Sequence, residues 1–152
     1  MNKKEEYFNH LKQRSFLGFL YDKLFLYPKL CKSLRGLTLD VGCGIGDMLS
    51  FRSKTIGVDI NQYNIDFCQR RNLDAILITP ETIRFDDNTF DSVLLDNVLE
   101  HIQSPDLLIQ EIRRVLKPGG TFLVGVPGIE GYKCDVDHKV YYDEFILRSL
   151  IS

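Results

Sequence analysis

Apolar residues along this chain follow two rhythms. Near-continuous apolar runs of strand length occur at Leu37–Val41, Thr55–Asp59, Ala75–Ile78, Asp91–Leu95 and Thr121–Val126. Runs such as Ala75-Ile76-Leu77-Ile78 do not alternate with polar residues, which suits strands covered on both faces of a parallel sheet. Between the runs, apolar residues recur at helical spacing. The clearest helix is predicted from Ser104 as N-cap, with Pro105 at the first helical position and Asp106 in the first turn. Leu108, Ile112, Val115 and Leu116 form its inward face, Arg113, Arg114 and Lys117 load its C-terminal end, and Pro118-Gly119-Gly120 stops it. A second helix is predicted from Asn61 to about Arg71, with Ile65 and Cys68 inward. Strand and helix in repeated alternation give an α/β fold with right-handed crossovers.

Residues 4–35 break that alternation. Tyr7, Phe8, Leu11, Phe16, Leu20, Leu24, Phe25, Leu30 and Leu34 space as one or two amphipathic helices, which either cover the sheet or line a pocket. Composition narrows the class. A chain of 152 residues, 44% hydrophobic and 26% charged, fits one globular domain and not a disordered or disulfide-stapled one. No apolar run approaches the roughly 18 residues of a membrane span. A net charge of −2 disfavours a nucleic-acid partner held by electrostatics. The four cysteines, Cys31, Cys43, Cys68 and Cys134, make no C-x-x-C pair, and the N-terminus has no signal-peptide pattern, so a reducing cytoplasm is expected.

The first strand runs into Leu39-Asp40-Val41-Gly42-Cys43-Gly44-Ile45-Gly46-Asp47. Alternating glycines just past a strand let the backbone turn sharply and approach a ligand closely. A dinucleotide fingerprint needs its third glycine at position 47, where Asp47 stands instead and would repel a pyrophosphate. No Gly-Lys-Ser/Thr follows, so the phosphate loop of nucleotide triphosphatases is excluded too. Asp59 closes the second strand, where a carboxylate can accept hydrogen bonds from both hydroxyls of a ribose. A nucleoside without phosphates is the expected ligand.

At these residues the chain resembles a class I S-adenosylmethionine-dependent methyltransferase of the small-molecule group. Leu39–Leu49 is similar to the glycine motif, Gly57–Asn61 to the acidic loop, Phe85–Ile102 to the fourth-strand motif and Arg114–Gly120 to the turn before the fifth strand. The resemblance implies a three-layer αβα Rossmann-like sheet of order 3-2-1-4-5. It implies a helical cap at 1–35, a cofactor core at 36–127 and a tail at 128–152. It also implies S-adenosyl-L-methionine as cofactor, S-adenosyl-L-homocysteine as product and a small-molecule acceptor. Gly42, Cys43, Gly44 and Gly46 would pass under the methionine part, and Asp40 would face its amino group. Asp59 would hold the ribose and Ile60 would pack on the adenine. Thr79 and Ile83 would edge the adenine from the other side, with Thr79, helped by Glu81, where relatives carry an acid. Asp96 and Asn97 would lie near the methyl group.

The resemblance leaves the catalytic group open, with His101 and His138 as candidates. Some ubiquinone-pathway O-methyltransferases bind a divalent metal through E-x-x-E-H at the place of Asn97-Val98-Leu99-Glu100-His101. Asn97 removes one ligand here, and no metal is expected. The cluster Cys134, Asp135, Asp137 and His138 is discounted as a polar turn. The relatives' sixth and seventh strands do not fit after Val126, and Asp137–Leu150 resembles the helix before strand six. Strand five would then be a free edge, covered by the tail, a second copy or another chain. An inactive, cofactor-binding homologue serving as a partner subunit is the alternative to an active enzyme.

Overall fold

The computed structural model describes residues 3–13, 16–80 and 82–151. The Phe16 side chain and Glu81, both named above, lie outside the described residues. Three helical segments come first: α1 (Lys3–Lys12), α2 (Phe16–Tyr21) and α3 (Tyr27–Ser33), with a π-helical stretch at Asp22–Leu26 joining the last two. The wide turn has a local reason. Pro28, at the start of α3, lacks an N–H and its ring would clash with the carbonyl one turn back, so the hydrogen-bond ladder resets just before it.

The sheet then forms from β1 (Thr38–Val41), β2 (Thr55–Asp59), β3 (Ala75–Leu77), β4 (Phe90–Asp96) and β5 (Leu116–Gly125). All four pairings are parallel, as the apolar runs imply, and the order is β3-β2-β1-β4-β5, as the resemblance implies. Four helices lie among or after the strands: α4 (Asp47–Phe51), α5 (Gln62–Arg70), α6 (Asp106–Val115) and α7 (Ile129–Lys133). The last, α8 (Glu144–Ile151), closes the described chain. Leu39, Val58, Val93 and Leu95 are fully buried, each contributing roughly 1.5–3 kcal/mol, and they pack with Ile109, Ile112 and Val115 of α6. On the other face Leu94 packs with Tyr27, Leu34 and Met48. No described helix is long and apolar enough to cross a membrane.

Register places the site. Val41 pairs with Val58 and with Leu95, so Gly42, Asp59 and Asp96 leave the sheet side by side. Chain direction diverges between β1 and β4, and the crevice at such a switch point is where open α/β sheets hold ligands.

Three local expectations shift. Helix α6 begins at Asp106 with Pro105 as N-cap, one residue after the predicted start, and no side chain caps it. Pro118-Gly119-Gly120 does not merely end that helix. Leu116 pairs with Phe90 and Thr121 with Ser92, and the residues between bulge out around Gly119 at φ +74°. The helix expected over Asp137–Leu150 forms only from Glu144 to Ile151. Val140, Tyr142, Leu147 and Leu150 pack onto the core cluster beside Phe122 and Val124, covering a face of β5. Among the described residues no strand pairs with its outer edge.

Candidate active site

The loop after β1 is fixed almost entirely through its backbone. Gly42 and Gly46 sit at φ +78° and +80°, a region that side chains disfavour. A Cβ on Gly46 would come 2.7 Å from Leu73 Cδ1 and 2.8 Å from Cys68 Sγ, so packing demands glycine as well. The N–H groups of Gly42 and Cys43 donate to the Val58 carbonyl at 2.8 and 3.0 Å. The Gly44 N–H donates to Asp59 Oδ2 at 2.9 Å.

Asp59 anchors this network. Its Oδ1 accepts from the Asn61 N–H at 2.8 Å, and its Oδ2 also accepts from Asn64 Nδ2 at 3.0 Å. A carboxylate has about four lone-pair positions, so one remains for an incoming hydroxyl. Burial pushes its pKa above the ordinary range, and the donors on Asn61, Asn64 and Gly44 pull back against that rise. No local pattern marks Asn64 for this contribution.

A cleft of about 510 Å³ opens over this loop, within the usual range for ligand sites. Its floor includes Asp40, Gly42, Cys43, Gly44, Asp96 and Asn97, and α1 roofs it with Tyr7, His10 and Leu11. Asp47, Tyr27 and Met48 also line it, and among the described residues no lysine or arginine does. Burial raises Asp40 to about 7, with the charges of Asp96, Asp59 and Asp47 adding to the effect. Asp96 is raised as well, by burial first and then by Asp22. A buried group of carboxylates with no described lysine or arginine lining the cleft favours a cationic ligand.

The structure thus brings together Asp40, Gly42, Cys43, Gly44, Asp96 and Asn97. Asn97 adopts φ +53°, which asparagine tolerates, and its N–H donates to the Gly125 carbonyl at 3.0 Å. Gly46 caps α4 beneath the loop. Ile60, 46% exposed, continues from Asp59, and Thr79 bridges to Thr82 beyond β3, so both stand beside the cleft and not in its lining. Ile83 does not take the place expected of it. It is 1% exposed within the core, and its N–H donates to Glu111 Oε2 at 2.9 Å, so it presents no face to a ligand.

His101 and His138 do not line the cleft either. Their rings pack together at 4.8 Å behind Tyr7, whose ring meets His101 edge-on at 6.3 Å. Burial and nearby carboxylates push the Tyr7 hydroxyl up to about 12. The lining residues from α1 and α3 carry no motif. Their apolar spacing shows a helix but not which of its residues look inward.

The methyltransferase domain family matches residues 39–124, more than half of the chain. An uncharacterized protein of Methanocaldococcus jannaschii is 32% identical over 116 residues, covering 70% of this chain and 57% of its own length. The fatty-acid O-methyltransferase of Mycolicibacterium smegmatis is 37% identical over 97 residues, covering 56% of this chain and 35% of its own length. The chain therefore spans about half or less of these curated relatives. A SAM-dependent methyltransferase of Thermotoga maritima superposes with a TM-score of 0.81 at 21% identity, over 99% of this chain and 79% of its own. The match runs from the middle of β1 through nearly all of β5 and so takes in every glycine and acid of the loop, which places this chain in the methyltransferase domain family.

Proposed function

We propose that this protein transfers a methyl group from S-adenosyl-L-methionine to a small-molecule acceptor. Family membership implies that cofactor, and the observation that carries the reading is the cluster of buried carboxylates lining the cleft at the switch point, with no described lysine or arginine beside them. The residues fit the group. It brings a sulfonium and an ammonium, and Asp40, Asp47 and Asp96 line the cleft where both would rest. When bound, it supplies a methyl group open to in-line displacement, and S-adenosyl-L-homocysteine is the product.

The chain's own residues then have distinct tasks. Asp40 holds the ammonium end, and its ionisation strengthens that hold. Gly42, Cys43, Gly44 and Gly46 keep the loop low beneath the ligand. Asp59 offers its remaining lone-pair position to the ribose, Ile60 packs on the adenine and Thr79 edges it. Asp96 and Asn97 close the methyl end. Tyr7 and Leu11 exclude water, which a displacement reaction needs more than it needs a strong base. His10, on the same roof, is the lining imidazole able to take a proton from an acceptor.

The fatty-acid O-methyltransferase relative supports a small-molecule acceptor for this chain. The four free cysteines support a reducing cytoplasm. A second reading, a weakly active partner subunit, draws on the outer edge of β5, unpaired among the described residues, where a second copy or another chain would pair, and on the three donors that already occupy most of the Asp59 carboxylate. Calorimetry with S-adenosylmethionine and S-adenosylhomocysteine tests the cofactor. Micromolar binding of both is expected, and no heat at millimolar ligand would sink the proposal. Transfer of labelled methyl to a panel of small organic acids and alcohols separates enzyme from partner subunit.

A further inference from the structure

Three side chains that the proposed methyl transfer does not use meet behind the wall of the cleft. Glu100 and His101 lie in a 3₁₀ turn, Leu99–His101, that follows β4. His138 comes from the segment after α7. Each offers one donor atom, and the three atoms lie within 4.8 Å of one another. The backbone fastens the two segments here, because the N–H groups of Lys139 and Val140 donate to the Glu100 carbonyl at 2.7 and 3.2 Å.

The hydrogen bonds of His138 decide which nitrogen is free. Its Nδ1 lies 2.8 Å from the Tyr132 carbonyl, which can only accept, so Nδ1 carries the proton. In the neutral ring Nε2 is then a lone pair. That lone pair faces two carboxylate oxygens, Glu100 Oε1 at 3.9 Å and Asp135 Oδ2 at 3.8 Å. Acceptor facing acceptor is unfavourable unless a cation stands between them. The other Glu100 oxygen, Oε2, is buried without a hydrogen-bond partner, in a side chain only 1% exposed. His101 Nδ1 also lies against a backbone carbonyl, that of Asp137 at 3.4 Å. An imidazole oriented by a carbonyl at one nitrogen, leaving the other to bind, is how metal-binding histidines are held.

The geometry points to a binding site for a divalent transition ion, Zn²⁺ or a first-row neighbour, formed by Glu100, His101 and His138. Two imidazoles and one carboxylate suit such an ion, whereas Mg²⁺ and Ca²⁺ prefer oxygen donors throughout. The three donors need to close by less than about 1 Å to reach bonds of about 2.0–2.2 Å. Three protein donors leave a coordination position open, and Tyr7 links this cluster to the cleft. The sequence argued against a metal because Asn97 replaces an acid; tertiary structure supplies the third donor from His138 instead. Cys134 takes no part, since its thiol is exposed and donates to the Glu130 carbonyl at 3.1 Å.

The site is tested on the whole chain after chelator dialysis, by titrating Co²⁺ and then Zn²⁺ while following visible absorption and thermal stability. One Co²⁺ per chain is expected, with d–d bands and no near-ultraviolet thiolate charge transfer, displaced by Zn²⁺. Zn²⁺ should raise the melting temperature. His138→Gln and His101→Gln should each weaken Co²⁺ binding at least tenfold with the circular dichroism spectrum unchanged. His101 is the less buried ring, so its variant serves if His138→Gln fails to fold. The proposal is overturned by an absence of d–d bands, by thiolate charge transfer, or by affinity unchanged in a folded variant. The cluster would then be a protonated His138 paired with Glu100 and Asp135.

Discussion

The loops after β1 and β2 and the roof made by α1 border one cleft but are built differently. The loops are held by main-chain hydrogen bonds, left-handed glycines and a buried carboxylate, so almost any change costs folding energy. Helix α1 buries no residue. Its polar ties include Lys4 Nζ donating to the Ile60 carbonyl at 2.7 Å and Asn61 Nδ2 donating to the Lys4 carbonyl at 2.8 Å. Phe8 adds ring contacts with Tyr63 at 6.2 Å and Phe67 at 5.6 Å. The floor is encoded by backbone demands and is rigid, whereas the roof, under which the proposed acceptor would pass, is left weakly attached.

The contrast can be broken at the floor. Asp59→Ala leaves the donors of Gly44, Asn61 and Asn64 without their acceptor. It should lower stability by about 3–5 kcal/mol in urea unfolding and abolish cofactor binding. Gly46→Ala forces a side chain into a left-handed, crowded position and should cost about 2–4 kcal/mol in the same assay. The floor also sets a pH dependence. Asp40 is protonated more readily in the folded chain, at about 7, than at its ordinary value of 3.8. The ligand-free protein should therefore lose stability as pH rises from about 4 to 7, since the unfolded chain has released that proton and the folded one has not. Affinity for the cationic cofactor should rise over pH 6–8, by at most about tenfold per pH unit, as Asp40 ionises. Asp40→Asn should flatten both profiles.

The roof should respond in the opposite way. Tyr7→Ala should change stability by less than about 1 kcal/mol, as expected away from the core, yet weaken cofactor binding several-fold in calorimetry. The smallest effect is expected at Leu24, 58% exposed on the π stretch. Leu24→Ser should stay within about 0.5 kcal/mol of the parent. A large loss there would show that the helical cap is held more tightly than its exposure implies.

What could be read in the sequence follows the same division. Strand β2 matches its apolar run from Thr55 to Asp59. Asn61 caps α5 by accepting from the Tyr63 N–H at 3.1 Å, because a cap is a contact between near neighbours. Leu116 misled for a reason of range. It continues the helical spacing of α6, but its backbone pairs with Phe90, more than twenty residues earlier, and that pairing draws it into β5. Ile83 misled similarly: its apolar character suited an adenine face, yet Glu111 of α6 ties its backbone into the core. His10 had only its residue type to recommend it, and no spacing rule says that it overlooks the cleft.

The strand runs, the glycine loop and the acids at the strand ends were determined by sequence alone. Each answers a local demand, for a left-handed backbone, a turn or a carboxylate one step past a strand. Tertiary structure decided which face of α1 roofs the cleft, which donors fill Asp59, and that His138 joins Glu100 and His101. Those meetings depend on strand register and on how the tail packs against β5, and such contacts between distant residues leave no periodic trace along the chain.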